Sequence, residues 1–394
     1  MRKQSLLLLS LLLLAALSCL LLSGCSAAPL TLPPLAITIT GQETTLDLSA
    51  VEAAYVEQLI PNIAEMPNLK SIDLGDAGDA AAPRIPWETV KAIEEARPDV
   101  TLQYKFVLYG KPFDLQSTAM DLNHLEMFDE GALVKKVALC MPQLSWLDMD
   151  FCGVSDEAMA DIRDSLPNAE VVWRIWFGKG IYGGYSVRTN VTKILASNPD
   201  KAGELNPETT KALKYCTKVK YLDLGHNDQL SDISFCAYMP ELEVAIFANG
   251  RYHDLTPLTH CPNLEYLELQ YGAVSDLSPL AELKNLRHLN IAWNFTLMDI
   301  SPLYDLDLER LWIGEYDPVS PAQVAEMQRR HPDCEINTTT ADATEGGWRY
   351  LGYDEEGFTI VAPRYEELRR QFEYDSAPYC YSYLENDPLY YPHP

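Results

Sequence analysis

An alternating apolar pattern returns through the middle of this chain at a spacing of 22 or 23 residues. Its copies are Leu222-Asp223-Leu224, Ala245-Ile246-Phe247, Leu267-Glu268-Leu269 and Leu289-Asn290-Ile291, and Leu311-Trp312-Ile313 opens a fifth. A fixed period in this range is produced by a stacked solenoid, in which each unit contacts only its neighbours. Such a stack presents a long surface and seldom a catalytic cleft. The pattern points to binding.

Within residues 264–286, Leu264, Leu267 and Leu269 alternate with polar residues, the period of a short strand buried on one side. Ser278 is placed to cap a helical turn beginning at Pro279, where a missing amide hydrogen costs nothing. Leu280 and Leu283 then turn inward and Leu286 opens the next strand. A single unit cannot enclose its own core. Each buried leucine contributes about 1.5–3 kcal/mol only when a neighbouring unit covers it.

The frame Leu-x-x-Leu-x-Leu-x-x-Asn recurs over residues 219–227 and 286–294, and over 264–272 with glycine in the asparagine place. The second half recurs from Asp232, Asp254, Asp276 and Asp299, each followed by Leu or Ile and then Ser or Thr. Through these motifs residues 216–314 resemble the leucine-rich repeat family, in the 22-residue bacterial form of internalin-like proteins. The resemblance implies an α/β solenoid, a leucine-rich repeat horseshoe. Parallel strands would line its concave face, with helices or short helical turns on the convex face. Ala245, Gly250, Gly272 and Tyr316 depart from the frame and weaken its asparagine ladder. The four aspartates in register invite a calcium column, but an aspartate before Ser or Thr also accepts backbone amides at a turn. The turn reading fits better, because the ligands would stand in single file one strand apart.

A longer repeat lies on either side. Residues 67–74 (PNLKSIDL) match 142–149 (PQLSWLDM), each leads into a helical stretch (87–97 and 156–166), and a third copy runs from 308 to 336. There Ser320 with Gln323 forms a capping box and Pro321 takes the first helical position. The expected layout is a signal peptide at 1–24, a lipidated cysteine and tether at 25–36 and irregular long repeats at 37–214. Regular repeats with a closing long one follow at 215–340, and an aromatic-rich cap or tail at 341–394. The internal copies favour one array over two domains, with residues 197–208 as a joint. Residues 341–394 hold Trp348, Phe358, Phe372 and nine tyrosines, with a helix expected over 365–372. They would close the open end of the array, or form an aromatic platform for glycans.

Arg2 and Lys3 precede an apolar run of mostly leucine, and Leu22-Ser23-Gly24-Cys25 resembles the lipobox of bacterial lipoproteins. That resemblance implies a diacylglyceryl group on Cys25, hence a bacterial, extracytoplasmic, membrane-anchored protein. The balance of 30 basic against 57 acidic residues, a net charge of −27, disfavours nucleic acid and anionic headgroups as partners. Seven cysteines follow Cys25 at scattered spacing, which argues against a full disulfide framework. Cys216, Cys236 and Cys261 each precede a new strand, a place for a small buried hydrophobe.

Residues between the inward leucines would face the concave surface. The candidate ligand-binding set is Tyr221, Asp223, Tyr266, Glu268, Tyr271, His288, Asn290, Trp293, Arg310 and Trp312, rich in residue types common at binding hot spots. Tyrosines here also suit strands for their own sake. No catalytic, metal or cofactor motif is present: G-x-S-x-G, H-E-x-x-H and phosphate-cradling glycine loops are lacking. The glycines at 178–184 read as a turn. The expectation is a non-enzymatic recognition protein with a protein ligand at the cell surface; the alternative is a cell-envelope lipoprotein that binds glycan.

Overall fold

The computed structural model describes residues 30–32, 37–178, 185–197, 205–340 and 343–374. Cys25, the signal and tether segments but for 30–32 and 37 onward, most of the 197–208 joint, the 179–184 glycines and Cys380 lie outside them. The chain divides into two compact units, Met1–Val171 and Val172–Pro394.

In the first unit β1 (Leu30–Leu32) pairs antiparallel with β2 (Ile37–Ile39). Then come β3 (Thr45–Asp47), α1 (Ala53–Ala64), β4 (Ser71–Asp79), α2 (Trp87–Ala96), β5 (Thr101–Leu108) and β6 (Lys111–Asp114). Strands β3, β4 and β5 are parallel and β6 folds back antiparallel, giving a four-stranded sheet. A second sheet contains β7 (Ala119–Asp121), β8 (Trp146–Asp148) and β9 (Glu170–Val172), with α3 (Ala132–Ala138) and α4 (Asp156–Ser165) between them. The helices expected near 87–97 and 156–166 are α2 and α4. Ser155 caps α4 by accepting the Ala158 amide at 3.3 Å. Arg97 ties down the end of α1 and the turn after it, donating to the Ile63, Met66 and Leu69 carbonyls at 2.5–3.2 Å.

The second unit opens with the antiparallel pair β10 (Arg174–Phe177) and β11 (Tyr185–Arg188). A seven-stranded parallel sheet follows: β12 (Lys193–Leu195), β13 (Tyr221–Asp223), β14 (Val244–Ile246), β15 (Tyr266–Glu268), β16 (His288–Asn290), β17 (Arg310–Gly314) and β18 (Glu335–Thr340). This ladder begins ahead of the residue-215 boundary expected from the repeats. Successive strands pair without slip from β12 to β17, so equivalent residues stand in straight columns. Short 3-10 turns return the chain, and Pro257, Pro279 and Pro302 sit at their starts. α5 (Pro321–Arg330) replaces the turn in the closing repeat.

Local capping differs from expectation in two places. Ser278 does not cap its turn; Asp276 accepts the Ser278 amide at 2.8 Å. Asp232, Asp254 and Asp299 do the same for residues two ahead, at 2.7–2.8 Å. The aspartate column is thus a column of turns, and no group of three His, Cys, Asp or Glu able to hold a metal occurs among the described residues. At α5 only half of the capping box forms. Ser320 accepts from the Gln323 amide at 3.3 Å, while the Gln323 side chain turns to the Ile300 amide at 2.8 Å.

Asn227 and Asn294, both fully buried, tie neighbouring repeats together. Asn294 donates to the Leu269 and Ile291 carbonyls at 3.0 and 2.8 Å and accepts the Val274 amide at 2.9 Å. The glycines that break this ladder have steric causes. A Cβ on Gly250 would lie 2.1 Å from the Tyr252 ring, and one on Gly272 would lie 2.8 Å from Asn294 Oδ1. Cys216, Cys236 and Cys261 are buried, as their position before each strand predicted.

Beyond β18 the described chain continues from residue 343 through the hairpin β19 (Tyr350–Tyr353) and β20 (Thr359–Val361) into α6 (Pro363–Phe372). Among the described residues no helix is long and apolar enough to cross a membrane.

Candidate functional site

Straight columns mean that the outward positions of the seven strands form rows on one face. One column runs Tyr221, Val244, Tyr266, His288 and Arg310; the next runs Asp223, Ile246, Glu268, Asn290 and Trp312. Most of this face is shielded from solvent, with Tyr221, His288 and Arg310 half-buried. Leu195, Val244, Ile246, Ala248, Tyr266 and Trp312 are buried in one cluster with Trp348, Leu368 and Phe372, and Tyr221, Tyr365 and Tyr374 pack against it. Residues 343–374 occupy the sheet face.

Glu268 is the centre of this contact, with no exposed surface. Its own strand supplies two donors: Tyr266 OH at 2.6 Å and Gln270 Nε2 at 2.7 Å. The C-terminal segment supplies Trp348 Nε1 at 2.8 Å and the Arg349 guanidinium, through Nε at 3.1 Å and through Nη2. Burial pushes the Glu268 carboxyl up, yet the Arg349 charge and the hydrogen bonds outweigh it and hold the group below its usual range. Deprived of that partner, the carboxylate would be a buried unpaired charge costing several kcal/mol. Asp223 is also buried, accepting from the Gly225 amide at 3.0 Å and from Tyr374 OH. Here burial prevails and raises the carboxyl.

Three further side chains of the face bind the backbone of the segment. Asn290 Nδ2 donates to the Ala343 carbonyl at 2.7 Å and Trp312 Nε1 to that of Glu345 at 3.2 Å. Arg310 donates to the Gly347 carbonyl and to that of Trp348 at 3.4–3.5 Å, its guanidinium lying 4.7–4.8 Å from the Trp312 and Trp348 ring centres. α6 crosses the face: Arg364 pairs with Glu265 at 2.6 Å, Phe372 meets the Tyr221 ring at 5.9 Å, and Glu373 reaches Lys193 at 2.5 Å. His288 is enclosed between Tyr266 and arginines. Burial, then Arg364, Arg310 and Arg287, push it down to about 3, although Glu309 lies 3.8 Å from Nε2. Glu309 is largely exposed, so its field is screened and the enclosure wins.

The expected ligand-binding set therefore divides. Asp223, Tyr266, Glu268, Asn290 and Trp312 are buried beneath the chain's own residues 343–374, and Tyr221, His288 and Arg310 are half-buried against them. Residues 343–374, part of the segment expected to close the end of the array, instead lie along its strand face. Arg349, Arg364 and Tyr374 complete the site and escaped sequence reasoning. The one available signal was Glu268, an acid among Ile246, Asn290 and Trp312 in an outward column, which demands a cation.

Tyr271 and Trp293 behave differently. Both follow a strand with left-handed backbone, φ 54° and 66°, as do His226 and Asn249 in the repeats before them. The conformation aims the amides of His226, Asn249 and Tyr271 at carbonyls of the next repeat at 2.8–3.0 Å; for Trp293 the acceptor is Asp317 Oδ2 at 3.0 Å. It also turns the rings out onto the rim. Tyr271 stacks on Trp293 at 5.1 Å, and Phe295 and Tyr316 meet Trp293 edge-on at 5.7 and 5.5 Å. Tyr271, Phe295 and Tyr316 are 41%, 59% and 63% exposed.

The family model described as "Leucine Rich repeat" matches residues 215–233, which contain β13. With the slip-free parallel ladder, the short 3-10 returns and the buried asparagines, this decides the fold. The second unit is a leucine-rich repeat solenoid. Solved structures similar to the chain include two internalins of Listeria monocytogenes. Internalin C2 is 19% identical over 40% of this chain and 76% of its own, with a TM-score of 0.30. The inlF internalin is 15% identical over 78% and 86%, with a TM-score of 0.34. A leucine-rich repeat protein of Leptospira interrogans is 15% identical over 70% and 74%, with a TM-score of 0.23. No curated protein matches the chain. In this solenoid the face carrying Glu268 is the concave one.

Proposed function

We propose that the chain is a membrane-anchored, extracytoplasmic recognition protein that binds a protein ligand through the aromatic rim of its leucine-rich repeats. The observation that carries this reading is the rim cluster itself. The exposed rings of Tyr271, Phe295 and Tyr316 each meet the half-buried Trp293 ring, and Tyr271 and Trp293 have left-handed backbone. Left-handed φ at bulky residues costs roughly 1–2 kcal/mol each, and exposed apolar clusters of this kind mark contact surfaces. The lipobox-like run ending at Cys25 supports anchoring by a lipid, with the acidic exterior suited to an extracytoplasmic site. A glycan ligand is the second reading, favoured by the flat Tyr271–Trp293 stack, since sugar faces pack on aromatic rings.

The triple variant Tyr271→Ala, Phe295→Ala, Tyr316→Ala tests the site. Binding of the mature chain to arrays of surface proteins and of glycans is expected to be lost, with the thermal melt almost unchanged because the rings are exposed. Binding retained in the variant would place the ligand elsewhere. The array on which the wild type scores separates protein from glycan.

A further inference from the structure

We propose that the concave face of the second unit is a peptide-binding groove, that residues 343–374 are its resident ligand, and that its external ligand is a partner segment carrying an aromatic residue followed by arginine. The inference goes beyond the rim site and rests on what the sheet contributes by itself. Tyr266 OH and Gln270 Nε2, both on the strand that carries Glu268 or just past it, already aim the two carboxylate oxygens of Glu268. An anion so held is ready for a guanidinium before any segment arrives. Gly225 orients the Asp223 carboxylate in the same way, and Ala292 orients the Asn290 side chain, at 3.0 and 3.1 Å.

Three donors of the groove read main chain. Asn290, Trp312 and Arg310 bind the carbonyl groups of residues 343, 345, 347 and 348 in chain order. Contacts to carbonyl oxygens accept almost any sequence, which is how peptide receptors gain affinity. Sequence selection around the bound carbonyls comes from the aromatic slot where Trp348 lies between Tyr266 and Trp312 at 5.2 and 5.3 Å, and from Glu268, which pairs with Arg349. The net charge of −27 draws cationic segments toward the face. A tethered occupant competes at an effective concentration of about millimolar, so the groove stays closed to weak ligands.

The test uses the full mature chain and a synthetic peptide of residues 343–374. Trp348→Ala with Arg349→Ala weakens the resident segment and leaves the groove intact. This variant is expected to bind the peptide at least ten-fold more tightly than the wild type does. A peptide carrying Arg349→Ala should lose at least ten-fold in turn, and adding Glu268→Gln to the protein should erase the difference between the two peptides. A folded double variant that ignores the peptide would overturn the proposal, as would equal binding of both peptides. Should the double variant fail to fold, hydrogen exchange on the wild type decides. Residues 343–374 opening as a unit ahead of β13–β17 supports the proposal, and the two exchanging together refutes it.

Discussion

Glu268 and His288 occupy neighbouring columns of one sheet and respond to burial in opposite ways. The carboxylate keeps its charge because Arg349 reaches it; the imidazole loses its charge because it is buried and Arg364, Arg310 and Arg287 surround it. For His288 the folded value, about 3, lies below the ordinary 6.5, so between these limits the unfolded chain binds the extra proton. Stability must therefore fall as pH drops from 6.5 towards 3, by at most about 1.4 kcal/mol per pH unit. Melting curves between pH 7 and 5, above the range where most carboxylates titrate, should show this slope, and His288→Gln should flatten it. A slope unchanged in the variant would mean that the imidazole is solvated. At this scale the sequence placed these residues in the outward columns and misjudged their surroundings. Tyr266 and Trp312 stand in outward columns, but they are core residues, because the rings that bury them come from residues 348, 368 and 372.

At the scale of the repeat, the ladder depends on a few buried polar groups. Asn294→Ala leaves two carbonyl groups and the Val274 amide without their partner inside the stack. It should cost on the order of 2–4 kcal/mol, read as a shift in the urea midpoint. Gly272→Ala drives a methyl group into Asn294 Oδ1 and the Leu269 carbonyl, both 2.8 Å away, and should cost about 1–3 kcal/mol. A neutral result for Gly272→Ala would show that the repeat has room the packing does not suggest. The strands, the returns and α5 were legible from period and proline alone, since one leucine spacing is set by one turn of the stack. The true caps were less so. Asp276, not Ser278, holds its turn, because an aspartate reaches the amide two residues ahead with an ionised acceptor.

For the whole molecule, local pattern ceases to inform where contacts run across long stretches of sequence. Trp348 and Glu268 meet through chemistry that no repeat encodes, and the tail carries no period of its own. Its helix was legible at residues 365–372, whereas its resting place was not. The proposed anchoring is tested at this scale too: metabolic labelling with a fatty acid should mark the wild type and not Cys25→Ser, and equal labelling would remove the lipid from the account. The central claim is that residues 343–374 fill the concave face, and a double-mutant cycle on Glu268→Gln and Arg349→Met addresses it most directly. If the two side chains pair as described, the double variant should lose little more melting temperature than the worse single variant, a coupling of about 1–3 kcal/mol. Losses that simply add would contradict the occupied face.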